Sequence, residues 1–406
     1  MSQRILESLG DPKFRSPLFI GLIANAGTNG VSVGADYVLV GWLALQATDS
    51  SAWVGGGFAL YHLPGFLLGV PAGALADRFN RRTLIRRLEI MAAIVLLGFA
   101  LLIKAGFTDI VVIYALTTLL GCLRAVHHPV RLAYVYDITG GERVIPAVAA
   151  LNFTSHLGYV MGAAMVGITT QALGAGYALG LMAFAHLLAW GCLWGHLAGG
   201  AARTGDPSPI LDNLRDYARE MIRNRLLAAF VVSTAGIEIF GTSFYTALPE
   251  LAEQRLRVGA EGLGALFAIS STGGLLAAMA VFFLPQLRDP RWLWLLSIIG
   301  LGLGTIALGA ASSFLMCAIA LGVASAMIAV WDILTQSMMQ LAVPDRLRGR
   351  AMGAWMFAIG TAPIGHLQLG LAATLLGLEL TLYFNGAMVL VVIALALVMT
   401  PALRPR

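Results

Sequence analysis

The stretch Gly73-Ala-Leu-Ala-Asp77-Arg78-Phe79-Asn80-Arg81-Arg82 is wedged between two long apolar runs, 53–76 and 84–104. Taken alone, an Asp- and Arg-rich segment of this kind is a solvated loop held on one side of a membrane by its charges. Its setting says more, because the runs beside it are the second and third of twelve. The apolar stretches are 17–46, 53–76, 84–104, 109–134, 144–173, 177–197, 226–248, 263–284, 292–311, 314–341, 350–376 and 381–400. Each is long enough to cross about 30 Å of hydrocarbon as a helix.

Composition agrees with that count. The chain has 406 residues, 58% hydrophobic and 12% charged, and its mean hydropathy is +0.82. An ordinary water-soluble domain is excluded, and the alternating pattern of a barrel is missing. If alternate loops face the cytoplasm, all 26 Lys and Arg except Lys104, Arg255, Arg257 and the intra-span Arg124 fall on that side, as the positive-inside rule asks. The same placement sets aside nucleic acid as a partner despite a pI near 9.3. The partners expected are a lipid bilayer and a small molecule, with the chain acting as a monomer. The polar start 1–16 leads into the first span without a small-residue cleavage site, so both termini are expected in the cytoplasm of a cell with the chain in its inner membrane. Cys122, Cys192 and Cys317 lie singly in apolar segments, which indicates neither a disulfide nor a metal site.

The chain divides near its midpoint. Residues 1–198 and 226–406 form two six-span halves, joined by 199–225. That joint begins with Asp206-Pro-Ser-Pro209 and continues as an amphipathic helix over 211–225, with Leu211, Leu214, Tyr217, Met221 and Ile222 on one side. The halves repeat each other weakly: Glu142-Arg143, Gly162 and Gly167 recur as Asp345-Arg346, Gly365 and Gly370 at one constant offset, half of the 406 residues.

The opening stretch resembles the loop between helices 2 and 3 of the major facilitator superfamily, G-x-x-x-D-R-x-G-R/K-R/K. Asn80 replaces the usual Gly, and a left-handed turn is expected there, which Asn tolerates best. The segment Val343-Pro-Asp-Arg-Leu-Arg-Gly-Arg350, with Ala362-Pro-Ile-Gly365, is similar to the enterobactin-exporter branch. This resemblance implies an all-α integral membrane fold of twelve transmembrane helices in two pseudo-symmetric halves, with the substrate site between them. It also implies a conformational latch at Gly73, Asp77, Arg78, Arg81 and Arg82, where Asp77 meets the start of helix 11 near Arg348 and Arg350. Gly158, Gly162 and Gly167 on helix 5 are similar to an antiporter motif, with Ala163 where that motif has Pro, and close helix packing is the plainer use of such glycines.

Helices 1, 4, 7 and 10 line the cavity in that superfamily, and each carries an ionisable residue at depth: Asp36, Arg124, Glu238 and Asp332. Buried charge in hydrocarbon is costly and marks function by default. Each sits on a polar stripe at helical spacing: Asn25, Asn29, Ser32 and Asp36; Arg124, His127, His128 and Arg131; Thr234, Glu238, Thr242 and Tyr245; Ser325, Asp332 and Gln336. Pairing between halves is the structural alternative. Asp36 is expected near the outer mouth, roughly 28 Å along its helix, and Glu238 near the middle, about 18 Å along. Glu238 is therefore the expected proton-cycling group, since a carboxyl removed from water can exchange a proton near neutral pH. His127 and His128 are expected to bind an anion, relay protons or pack. His156 and His366 flank the cavity, and His62, His186 and His196 are read as structural.

No P-loop, H-E-x-x-H or G-x-S-x-G is present. The reading is thus a secondary transporter rather than an enzyme, with no cofactor beyond an ion gradient, most simply of protons. It exports a small organic molecule, siderophore-like or amphipathic and drug-like. The alternatives are a lipid or lysolipid carrier of the same fold, and a non-transporting scaffold or sensor.

Overall fold

The computed structural model describes residues 14–140, 144–194, 225–283, 289–341 and 355–400, without the side chains of 69–78, 145, 225, 282–283, 340–341 and 399. The amphipathic segment expected before Arg225, the Asp345-Arg346 repeat, and Arg348 and Arg350 lie outside the described residues.

Every regular element among the described residues is helical: α1 (Pro17–Thr48), α2 (Ser51–Arg78), α3 (Arg81–Lys104), α4 (Ile110–Thr139), α5 (Val144–Leu173), α6 (Ala175–Cys192), α7 (Arg225–Phe240), α8 (Gly259–Phe283), α9 (Arg291–Ala310), α10 (Phe314–Leu341), α11 (Ala362–Leu376) and α12 (Leu378–Met399). Nine stretches among the described residues are long and apolar enough to cross a membrane. Large apolar side chains such as Leu101, Val111 and Leu375 stand exposed on the outside, as a lipid-facing surface requires. The chain is a multi-pass membrane protein.

Local chemistry sets the boundaries. Helix α2 runs through Arg78, leaving only Phe79 and Asn80 before α3. Asn80 is not left-handed, contrary to the expectation from sequence. Its φ is −61° and its ψ 114°, and its side chain accepts the Thr83 N–H at 3.1 Å as the N-cap of α3. An Asx cap needs extended backbone, and the cap satisfies an amide that the first turn leaves bare. Gly174, between α5 and α6, has φ +94°, and Gly377, between α11 and α12, has φ +85°. They stand at the same offset as the other repeated glycines, so the repeat extends to a backbone conformation that only Gly adopts cheaply.

The seventh span is not one continuous helix. After Phe240 the N–H groups of Gly241 and Thr242 both turn to Ile237 O, at 2.6 and 2.9 Å. A 3-10 segment follows at Ser243–Ala247, then one α turn at Leu248–Glu250 and a π-type turn at Leu251–Arg255. Pro249 has no N–H to give to Tyr245 O, which takes that of Leu248 instead.

Two compact units result. One comprises Met1–Thr48, Leu63–Pro207 and Val258–Ala268, the other Asp49–His62, Ser208–Arg257 and Ile269–Arg406. In the first, α1 lies along α5 at small residues: a Cβ on Gly30 would stand 2.5 Å from Ser155 O, one on Gly158 would stand 2.9 Å from Gly30 Cα, and one on Gly162 would run into the Val31 backbone. The first turns of α8 join this unit, where a Gly167 Cβ would be 2.8 Å from Gly264 Cα. In the second unit the first turns of α2 meet α11 in the matching way, with a Gly370 Cβ 3.1 Å from Gly55 Cα. Lipid tails are as apolar as leucine, so helices in a bilayer gain by such close approach rather than by apolar burial.

Candidate functional site

In the first unit the centre is Glu89. On α3, Ile85, Glu89, Ala92, Ala93 and Leu96 share the buried face, and Glu89 is wholly enclosed. Its carboxylate is hydrogen-bonded to nitrogens of three other helices. From α1 come Asn25 Nδ2 at 2.9 Å and Asn29 Nδ2 at 3.3 and 3.4 Å, from α4 His127 Nε2 at 2.8 Å, and from α6 His186 Nδ1 at 2.6 Å. Arg131 Nη1 donates to Asn29 Oδ1 at 3.1 Å, which fixes the amide so that its nitrogen faces Glu89. A buried carboxylate is tolerated only when its lone pairs are satisfied in this way.

Against this cluster lies a cavity of about 50 Å³ whose lining includes Asn29, Asp36, Arg124, His127, His128 and Arg131. Tyr159 of α5 and His186 also border it. At about 10–15 Å³ per enclosed water, it accommodates a few waters or one polar head group.

In the second unit Glu238 lies near the end of α7. Thr242 donates to its backbone oxygen at 3.0 Å and is 3.1 Å from its Oε2. Asp332 on α10 is an electrostatic neighbour of Glu238, and its Oδ2 accepts from Gln336 Nε2 at 2.9 Å. Tyr245 OH continues to Ser270 at 3.2 Å, and Ser270 to Ser325 at 2.6 Å, so α7, α8 and α10 share one hydroxyl chain. Gly365 of α11 crosses α7 at this height, where a Cβ would stand 2.7 Å from Glu238 O. His366 pairs with Thr246 at 2.9 Å and stacks on His62 with ring centroids 5.1 Å apart.

The residues expected from sequence thus fall into two groups. Asp36, Asn29, Arg124, His127 and His128 gather at the first cavity, and Glu238, Tyr245, Asp332 and Gln336 gather in the second unit. Of the latch residues, Arg81 pairs with Asp137 at 2.6 Å, and Arg82 donates to Leu193 O at 2.6 and 3.1 Å. The backbone at Gly73, Asp77 and Arg78 is helical, and their side chains lie outside the described residues. Sequence reasoning missed Glu89 and left His186 as structural. Glu89 follows Arg86 and Arg87 in the first turns of the third apolar run, 84–104, so it reads with them as the charged end of that span. The available signal was its helical register with Ile85 and Leu96, which puts it on the apolar side.

Residues 7–405 match the family described as transmembrane secretion effector. The chain belongs to that family. Its members are major facilitator transporters, so this family member is a membrane transporter and not an enzyme. It is 23% identical over 362 residues to the staphyloferrin A transporter of Staphylococcus aureus, covering 85% of this chain and 87% of that one. Among solved structures it is similar to the nucleoside transporter NupG, with a TM-score of 0.77, 13% identity and coverage of 94% of this chain and 98% of that one. A bacterial homologue of the human lysosomal transporter Spinster gives a TM-score of 0.72 at 15% identity, covering 97% of this chain and 99% of that one. At such identities the likeness concerns the fold.

Proposed function

We propose that this transporter is a proton-coupled exporter of a small organic molecule, siderophore-like or amphipathic, working by alternating access. In this reading twelve spans form two six-helix halves, 1–198 and 226–406, linked by 199–225, in the cytoplasmic membrane with both termini inside. It acts as a monomer without a cofactor, and Asp77 latches the cytoplasmic side. The family and the staphyloferrin A transporter likeness support the substrate class. The observation that carries the coupling is the Glu238 and Asp332 pair, held by Thr242 and Gln336 on α7 and α10. Each carboxyl that senses the other's charge is costlier to ionise, which suits the two to loading and releasing a proton.

The substrate is first found by a thermal-shift screen of metabolites and drugs on purified protein, since binding to the folded state raises its stability. Transport driven by a pH gradient is then compared in proteoliposomes with substrate exchange at equal pH. Glu238→Gln keeps the shape and the Thr242 bond but cannot cycle a proton, so gradient-driven transport is expected to be abolished while exchange persists. Undiminished gradient-driven transport in this variant would move the coupling to Asp332 or Asp36. A screen answered only by phospholipids or lysolipids would replace the small-molecule reading with a lipid carrier.

A further inference from the structure

We propose that Glu89, His127 and His186 form a second proton-binding site, facing the cavity of the first unit and separate from Glu238 and Asp332. It extends the proton-coupled reading above. Glu89 has no exposed surface; its oxygens accept N–H groups from two asparagine amides and each lies within hydrogen-bond distance of one imidazole nitrogen. An ionised carboxylate only accepts, whereas a carboxylic acid must also donate. An amide nitrogen cannot accept that proton, and an imidazole nitrogen holds one more readily than a carboxylate does, so the shell suits a fixed negative charge.

That charge in turn fixes the rings. With Glu89 accepting, His127 carries its proton on Nε2 and His186 on Nδ1, which leaves Nδ1 of His127 and Nε2 of His186 as the lone pairs able to take another. Both rings border the cavity. A proton arriving through the cavity binds one of these nitrogens, and the imidazolium formed keeps its existing N–H on Glu89 as a charge-assisted bond. Two imidazoliums on one carboxylate repel each other, so the site takes one proton.

The other groups around the cluster fit this role. From α4, Arg131 reaches Glu89 through Asn29, and Arg124 and His128 stand on the cavity side; α1 contributes Asp36, α5 Tyr159, and α6 Cys192. A bound proton therefore adds a positive charge to a cavity already bordered by two arginines. The charge of the substrate accepted there then depends on whether the proton is present.

The test needs neither substrate nor gradient, so it can fail while the coupling at Glu238 stands, and the reverse. Full-length protein labelled with 15N-histidine is followed by NMR in micelles from roughly pH 5 to 9, the range in which imidazoles change charge. Each signal is assigned by single His→Gln variants. At high pH, His127 is expected as the Nε2–H tautomer and His186 as the Nδ1–H tautomer. On acidification one of the two rings becomes imidazolium, and Glu89→Gln removes that step. Rings that remain neutral throughout, or a step unaffected by Glu89→Gln, overturn the site in favour of a purely structural tie between helices. Should Glu89→Gln not fold, the wild-type protein decides: the opposite tautomers, or no step, refute the proposal.

Discussion

Gly162 and Gly98 are the same residue type in helices, and the structure gives them opposite roles. A Cβ on Gly162 would run into the Val31 backbone, while one on Gly98 would meet nothing within 4 Å. Gly162→Ala is therefore expected to lower stability by about 1–3 kcal/mol, since backbone cannot move aside as a flexible side chain can. Gly98→Ala is expected to leave stability unchanged or to raise it by up to about 1 kcal/mol through helix propensity. Thermal unfolding of the two purified variants checks both, and equal losses would remove the α1–α5 crossing as the cause. The helix 5 glycines were legible as a small-residue motif. The open space around Gly98 was not, because spacing along one helix says nothing of which neighbour stands beside it.

Asn80 shows how an element can begin for a different reason from the one its sequence suggests. The motif resemblance pointed to a turn, and the structure uses the side chain as a cap on Thr83. Asn80→Ala should thus cost about 1 kcal/mol, a typical loss for a missing N-cap. Asn80→Asp should keep most of that stability. A Gly replacement that is more stable than wild type would restore the left-handed turn as the better account. The break after α7 interrupts the apolar run 226–248, which presents itself in the sequence as one span; the breakers Gly241 and Pro249 were visible there. Its 3-10 and π-type turns were not, because they depend on which carbonyls the displaced amides find.

For the whole molecule, the α1–α2 turn and the segment after α7 are joined: Gln254 Nε2 donates to Asp49 Oδ1 at 2.9 Å, and Ser51 bonds to Glu250. If alternating access parts the proposed halves 1–198 and 226–406, this join within the second compact unit opens in every cycle. With Cys122, Cys192 and Cys317 replaced, Asp49→Cys combined with Gln254→Cys should crosslink, and transport should stop until the link is reduced. A crosslinked protein that transports at the uncrosslinked rate would show that this contact stays shut throughout.

Hydrophobic length, the side on which Lys and Arg fall and the Gly73–Arg82 motif determined the membrane helices and the family, because each is a one-dimensional property: a helix must be long enough to span, and charge must stay in water. Asp36, Arg124, Glu238 and Asp332 stand out in the sequence for the same reason, as charges inside apolar runs. Tertiary structure alone decided that Glu89 belongs with Asn25, Asn29, His127 and His186, and that Gly167 meets Gly264 while Gly370 meets Gly55. These partners are far apart in the chain, and a polar group near the end of an apolar helix reads as part of its water-facing end until the other helices close around it and replace the water it would otherwise keep.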